Sequence, residues 1–310
     1  MALGTPNPYI FGPPIKDPAL LCGRVEETNW LLQCIRKTES VSVVGERRIG
    51  KTSLLYYLKS KVLEDWGGGP KPIPVLINPQ LRLHGESDFF ERVIRGISQA
   101  SAIEPTPAEC ADEATLTRHL EQIAPRRLIL LIDEFETIAL HPDFGDEFFL
   151  SLRAIAEDYG VSIIVATSVP LHQCCQAGSV PFVFRNIFQT LQLGPFNEDD
   201  VAQLIARAAE RSGVSLRVWQ PQIMDLAGGF PAFTQLACRH YHEAVISNPE
   251  LSPEDHHQIR QNFQHQVEPY FERIWNHYLD NAEREILGKL AKGQADASSP
   301  VLRGLTRKGY

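Results

Sequence analysis

The sequence predicts an α/β protein, with a mostly parallel three-layer sheet domain up to about residue 195 and an all-helical part after it. Three observations carry that expectation. Val41-Ser-Val-Val-Gly45-Glu-Arg-Arg-Ile-Gly50-Lys51-Thr52-Ser53-Leu54-Leu55 is a short β-rich run, a loop bounded by glycines and the opening of a helix. Leu128–Ile132 is a continuous apolar run closed by Asp133-Glu134, the pattern of a strand buried on both faces with acids at its C-terminal end. Strand-length apolar runs then alternate with helix-period stretches until Gly194-Pro195, beyond which only the helical period remains.

Bulk properties set the bounds. With 310 residues the chain has room for about two domains, and 43% apolar against 22% charged residues suffices for sizeable cores. A formal charge of −8 argues against wrapping a polyanion, so any nucleic-acid contact would be local. Cysteines 22, 34, 110, 174, 175 and 238 form no C-x-x-C pair or regular framework, and read as reduced, mostly buried thiols of a cytosolic protein. A redox role for the adjacent Cys174-Cys175 is the alternative. Met1–Leu20 lacks the basic start and apolar run of a secretory signal. The longest apolar runs fall far short of the ~18 residues a membrane span needs, so a soluble, cytoplasmic protein away from membranes is expected.

In chain order, residues 1–20 carry Pro6, Pro8, Pro13, Pro14 and Pro18 and cannot be helical. They read as an extended arm whose Tyr9, Ile10, Phe11, Ile15 and Leu20 can pack on something. Cys22-Gly23-Arg24-Val25-Glu26-Glu27 opens a helix with Trp30, Leu31, Leu32 and Ile35 on its apolar side. The helix after Lys51 runs to about Glu64 and stops at Trp66-Gly-Gly-Gly-Pro70, and Pro72–Asn78 holds the next buried strand. Asp88–Ile103 and Glu113–Ile123 read as helices separated by Glu104-Pro-Thr-Pro107. Glu147–Tyr159 is helical, Val161–Val165 is a strand running into Ala166-Thr167-Ser168, and Phe188–Leu193 is a fifth strand.

Asn197 caps the first helix of the C-terminal part, which opens on Glu198-Asp199-Asp200 to suit its dipole. Pro221–Leu226 follows, then a break at Gly228-Gly229-Phe230-Pro231 and the helix Phe233–Ile246. A second break at Asn248-Pro249 and Ser252-Pro253 precedes the long helix His256–Leu279. Asn281–Ala291 and Pro300–Lys308 are two short helices joined across Gly293, the second with Ser299 and Pro300 as N-cap and N1. Such a pair suggests a helix-turn-helix, although the join is longer than the tight turn of that motif.

The first stretch has the G-x-x-x-x-G-K-T spacing of a phosphate-binding loop in the strand–loop–helix context the motif requires. Its glycines let backbone N–H groups turn inward around a triphosphate, and the new helix adds its N-terminal dipole. Lys51 would reach the β- and γ-phosphates, and the Thr52 hydroxyl would ligate Mg²⁺. Asp133 would hold the same ion through a water, while Glu134 would orient, or take a proton from, the attacking water. Glu136 is available too but lies further from the strand end. Thr167 and Ser168 stand where a polar residue would touch a γ-phosphate; capping of the following turn is equally compatible.

In combination these pieces resemble a STAND-type P-loop ATPase, a signal-transducing branch related to AAA+ proteins, from about Pro6 to Tyr310. The resemblance rests on Cys22-Gly23-Arg24-Val25-Glu26 as the family's F-x-G-R-x-x-E entry, on Gly45–Thr52, and on Leu128–Glu134. Ala166-Thr167-Ser168 stands as a sensor-1-like segment and Gly229-Phe230-Pro231 as the G-x-P of a helical lid. The tail from Tyr270-Phe271-Glu-Arg-Ile-Trp275 to Leu305-Thr-Arg-Lys-Gly309 resembles the start of a winged helix. Cys22 replaces the phenylalanine of the entry motif.

The resemblance implies a Rossmann-like three-layer P-loop NTPase domain over residues 21–196 after an N-terminal arm at 1–20. An all-α lid over 197–250 and an incomplete winged-helix domain over 251–310 would follow. It implies ATP or ADP with Mg²⁺ as ligands, and catalytic roles for Glu134, Lys51, Thr167 and Ser168. Nucleotide contacts would come from Arg24, Gly45, Arg47, Arg48, Ile49, Gly50, Lys51, Thr52, Ser53 and Pro231, with Thr52 and Asp133 on the metal. The strand bearing Thr167 and Ser168 would lie between the P-loop and Asp133 strands. Gly23-Arg24 and Pro231 would close around adenine, and the ATP state would open or self-associate.

Other loci read more plainly. Arg185, between the sensor strand and strand five, and Arg153 are candidates for a phosphate or subunit contact, with a surface salt bridge favoured for both. Arg47 and Arg48 are expected in solvent or in intramolecular pairs. His240, His242, His256, His257 and His265 read as exposed helix histidines, because no cysteine or acid falls at ligand spacing. Arg303, Arg307 and Lys308 would face a phosphate backbone only locally, since eight acids balance eight bases from Glu254 to Tyr310.

The expectation is therefore a slowly hydrolysing ATP switch that controls an attached or partner effector. A DNA-binding ATPase of the origin-recognition or loader type is the alternative, so DNA is a possible but not a favoured partner. A small-molecule kinase is disfavoured by the water-activating acid. The chain stops where a winged helix would begin its hairpin, so either the wing is absent or, as favoured, this is a fragment of a longer protein with effector or sensor domains beyond Tyr310 or in trans.

Overall fold

The computed structural model describes residues 6–64, 66–78, 83–101, 103, 111–174, 180–277 and 279–292. The chain falls into two compact units: Pro14–Leu193, and Met1–Pro13 together with Gly194–Tyr310. The proline cluster at 104–107, Cys110, Cys175 and the last helix expected at 300–308, with Arg303, Arg307 and Lys308, lie outside the described residues.

The first unit is the α/β part. After α1 (Val25–Arg36) come β1 (Ser40–Val44), α2 (Lys51–Glu64), β2 (Ile73–Ile77), α3 (Glu86–Ala100), α4 (Glu113–Ile123) and β3 (Leu128–Ile132). A one-turn α5 (Glu136–Ala139), α6 (Asp146–Asp158), β4 (Ser162–Thr167), the short α7 (Leu171–Cys174) and α8 (Phe182–Arg185), and β5 (Phe188–Gln192) complete it. All five strands are parallel, in the order β2-β3-β4-β1-β5. Strand β4, which ends in Thr167, thus lies between β1 and the acidic strand β3, as expected. Pro74 is accommodated because β2 is an edge strand, where a missing donor costs no ladder bond.

Alternation along the strands explains the continuous apolar runs. Leu128, Leu130 and Ile132 join Ile163, Val165 and the α3, α4 and α6 side chains in one core. Ile129 and Leu131 are equally buried on the opposite face. Phenylalanines dominate the first core: Phe89 meets Phe148 edge-on at 5.1 Å, and Phe148 meets Phe144 at 4.7 Å and Phe149 at 5.2 Å. Helix α3 begins two residues before the expected Asp88, because Gly85 at φ 104° makes the turn into it.

The second unit holds α9 (Glu198–Ser212), α10 (Gln220–Ala227), α11 (Pro231–Ser247), α12 (Pro253–His277) and α13 (Asn281–Ala291). Asn197 caps α9 in a reciprocal box with Asp200. Two expected breaks prove to be helix starts. Pro231 and Pro253 occupy first-turn positions, where the missing N–H has no intrahelical partner to lose, so α11 and α12 begin earlier than Phe233 and His256. Ser252 and Asp255 exchange bonds across the start of α12 at 2.8 and 3.2 Å.

The arm of this unit packs on its helices. Tyr9 is buried with its ring edge-on to His242 at 5.9 Å, and Phe11 meets Tyr270 at 6.0 Å. The Asn7 amide donates to Arg239 O and to Glu243 Oε1, both at 3.1 Å, and Ile10 N donates to Gln235 Oε1 at 3.1 Å. His242 corrects the reading of exposed helix histidines: it is 0% exposed, because α11 is covered on several sides, and burial pushes its imidazole below the usual range. Among the described residues no group of His, Cys, Asp and Glu is arranged to hold a metal by itself. No described helix is long and apolar enough to cross a membrane. The described cysteines 22, 34, 174 and 238 are buried.

Candidate functional site

The site is built where β1, β3 and β4 end side by side. From β1 the chain enters the glycine-bounded loop, in which Gly45 N donates to Thr167 O at 3.2 Å. Gly45 is required by close approach: a Cβ there would meet Ile49 Cγ2 at 2.9 Å and the Leu193 carbonyl oxygen at 3.1 Å. Arg48 at φ 68° and Gly50 at φ 101° supply the left-handed residues that turn the loop into α2. Their neighbours then propagate the helix, beginning with Leu54 N on Gly50 O at 2.9 Å.

Lys51 is 8% exposed, and its ammonium donates to the carbonyls of Gly45 and Glu46 across the loop. Burial pushes its pKa down, while Glu136 first, then Asp133, Glu46 and Glu134, pull it back up. Thr52 Oγ1 donates to Asp133 Oδ2 at 2.8 Å, so the helix start and the β3 end are joined directly. Asp133 also accepts from Glu134 N at 3.1 Å. Burial raises the Asp133 carboxyl above the usual range, against the lowering effect of the Thr52 bond. A carboxylate and a hydroxyl placed together are hard oxygen donors suited to Mg²⁺, which commonly takes only one or two protein oxygens.

The acidic turn after β3 is pinned from below. Phe135 is fully buried, lying stacked on Phe184 with centroids 6.1 Å apart and edge-on to Phe149 at 6.1 Å. Its N–H donates to Ala166 O at 2.9 Å, and Glu134 sits at φ 43°, a left-handed conformation uncommon for a side-chain-bearing residue. Glu134 and Glu136 therefore flank an anchored residue. Glu136 Oε1 accepts from Ser168 N at 3.2 Å and from Ser168 Oγ at 2.7 Å. Thr167 is completely buried.

The structure thus brings together Gly45, Ile49, Gly50, Lys51, Thr52, Asp133, Glu134, Thr167 and Ser168. Arg24, expected to close around adenine, makes its bonds here within the protein. It is 5% exposed at φ 62°, donates to Ile49 O at 3.1 Å and pairs with Glu27 at 2.9 Å, holding the loop by its backbone. Ser53 accepts from Ile15 N at 3.0 Å, which ties the incoming chain to α2. Arg47 and Arg48 are exposed, and Arg153 pairs with Glu157 at 2.8 Å. Arg185 lies over the Phe182 ring at 5.6 Å. Pro231 belongs to the other unit, as the first residue of α11 behind Gly229 at φ 72°. The Glu136–Ser168 contact was missed in sequence; its only trace there is a third acid in Asp133-Glu134-Phe135-Glu136.

Among solved structures, the chain is similar to a Walker-type ATPase of Pyrococcus abyssi, at 16% identity and a TM-score of 0.62 over 96% of this chain and 91% of that one. The Aeropyrum pernix ORC2 protein in its ADPNP–ADP complexes gives 16% identity and 0.60 over 93% and 86%. Aeropyrum pernix ORC1 in complex with DNA gives 14% and 0.55 over 89% and 73%. At such identities the likeness establishes the fold. No curated protein matches the chain in sequence. The family model described as Novel STAND NTPase 2 matches residues 85–295, which include the acidic turn, Ser168 and Pro231 and leave the P-loop upstream. That match spans most of the chain, and with a P-loop fold and a built phosphate loop beside it, the protein belongs to the Novel STAND NTPase 2 family, a P-loop NTPase of the STAND kind.

Proposed function

We propose that the protein is an ATP-binding, slowly hydrolysing switch that couples its nucleotide state to domain rearrangement or self-association and so controls an attached or partner effector. The observation that carries the reading is the direct Thr52–Asp133 bond at 2.8 Å with Glu134 next in the chain. It supports a single centre made of a phosphate loop, an ion-binding pair and a water-activating acid. Loop N–H groups and Lys51 would bind the β- and γ-phosphates, whose charge favours the ammonium form of a lysine that burial alone disfavours.

Thr52 and Asp133 would hold Mg²⁺, which when bound neutralises phosphate charge. Glu134 would accept the proton of the water whose oxygen attacks the γ-phosphorus, as the bond to the departing ADP oxygen breaks. Arg24 would serve by fixing the loop, and Pro231 with the helical unit would form the lid. Helices α12 and α13 with the segment after them would begin a winged helix. The DNA-binding alternative stays second, because the charge-neutral C-terminal segment offers no basic stripe.

Lys51→Ala is expected to abolish nucleotide binding in calorimetry. Glu134→Gln should bind ATP and hydrolyse it about 10²–10⁴-fold more slowly. Light scattering with ATP and with ADP should give different masses or shapes, and an identical monomer in both would sink the switch. Turnover by Glu134→Gln at the parent rate would reassign the base.

A further inference from the structure

We propose that Glu136 is a positioning residue that fixes the polarity of the Ser168 hydroxyl, turning it into an acceptor for the attacking water instead of a donor to the γ-phosphate. This rests on the reading of the site as an ATPase. The geometry begins with the pair of bonds from Ser168 N and Ser168 Oγ to one oxygen, Glu136 Oε1, at 3.2 and 2.7 Å. A serine hydroxyl has a single proton. Given to Glu136, that proton is lost to any phosphate oxygen, and phosphate oxygens only accept. What remains on Ser168 Oγ are lone pairs, which suit an O–H of water.

The bonds around this pair make it a fixed arrangement and not a loose cap. The end of β4 is held residue by residue: Ala166 O by Phe135 N at 2.9 Å, Thr167 O by Gly45 N at 3.2 Å, and Ser168 by Glu136. The Glu136 backbone follows Phe135, whose ring is locked in the core, so the carboxylate has a fixed origin. Its second oxygen, Oε2, is buried without a hydrogen-bond partner among the described residues, so the Ser168 bonds are the ones that this carboxylate makes there. Glu136 is also the foremost of the acids that favour the charged form of Lys51. The arrangement divides the labour between two acids, with Glu134 as the base and Glu136 as the group that aims Ser168.

Steady-state turnover and ATP and ADP affinities of Glu136→Ala, Glu136→Gln, Ser168→Ala and the Glu136→Ala/Ser168→Ala pair test this. Glu136→Ala and Ser168→Ala should each lower kcat about 10–100-fold, with ATP-over-ADP preference unchanged. Glu136→Gln, whose amide oxygen can still accept both Ser168 bonds, should recover most of kcat. The double variant should be no slower than either single one, since the two act as a unit. Additive losses, no rescue by glutamine in a chain that melts like the parent, or a selective loss of ATP over ADP in Ser168→Ala would overturn the proposal. A parent chain that turns over no faster than Lys51→Ala fails the ATPase reading itself, and this proposal falls with it.

Discussion

Asp133 carries a burden that its position imposes. Burial holds its carboxyl above the usual range, so ionising it costs more in the folded chain than in the unfolded one, while the proposed ion site calls for the ionised form. The sign follows from linkage: an acid whose folded pKa is raised weakens the fold once ionised, and the penalty disappears as pH falls through the folded pKa. Asp133→Asn should therefore melt higher than the parent at neutral pH, with the gap closing in acid, while losing turnover. Thermal melts across pH check this, and a parent equally stable at neutral pH would refute it. At this scale the sequence was most informative where chemistry demands fixed spacing. Gly45, Gly50, Lys51, Thr52 and Asp133 were legible because a phosphate loop and a strand-end acid leave local patterns. The Glu136–Ser168 pair was not, since two residues 32 apart on separate elements leave no periodicity. The Arg24 bond to Ile49 O was not legible either, because no side-chain pattern records a backbone carbonyl as partner.

At the level of elements, the inner strands β1, β3 and β4 stood out because both their faces are buried, whereas the edge strand β5, Phe-Gln-Thr-Leu-Gln, alternates with polar residues and is partly exposed. Helix starts were less visible. Pro231 and Pro253 each look like breakers, and only the first-turn geometry of α11 and α12 shows that they open helices. His242 misled for a related reason: a histidine on a helix reads as exposed unless the covering segment, here the distant arm, is known. The acidic turn depends on packing beneath it. Phe135→Ala should cost about 3–5 kcal/mol of stability, and should slow turnover more than it weakens ADP binding, because the turn loses its anchor while the P-loop keeps its own bonds. Denaturant melts beside kinetics decide, and unchanged turnover in a destabilised chain would show that the anchor does not matter to the site.

For the whole molecule, the division into two units is discontinuous in sequence, since residues from both ends of the chain form the helical one. Tyr9→Ala should cost about 2–4 kcal/mol, with Tyr9→Phe retaining most of the parent value; circular dichroism during denaturation reports it. A Tyr9→Ala chain as stable as the parent would mean that the arm is ornamental. The arm also has a history during synthesis. Ile10 meets Gln235, 225 residues later, so at ~5–20 residues per second the arm leaves the ribosome roughly 10–45 s before its helix exists. Until then its aromatic side chains have no native surface, and the α/β unit between is complete first. The arm is thus made before the α/β unit yet placed after it, and anything attached ahead of it is borne by the helical unit, not by the one that holds the phosphate loop.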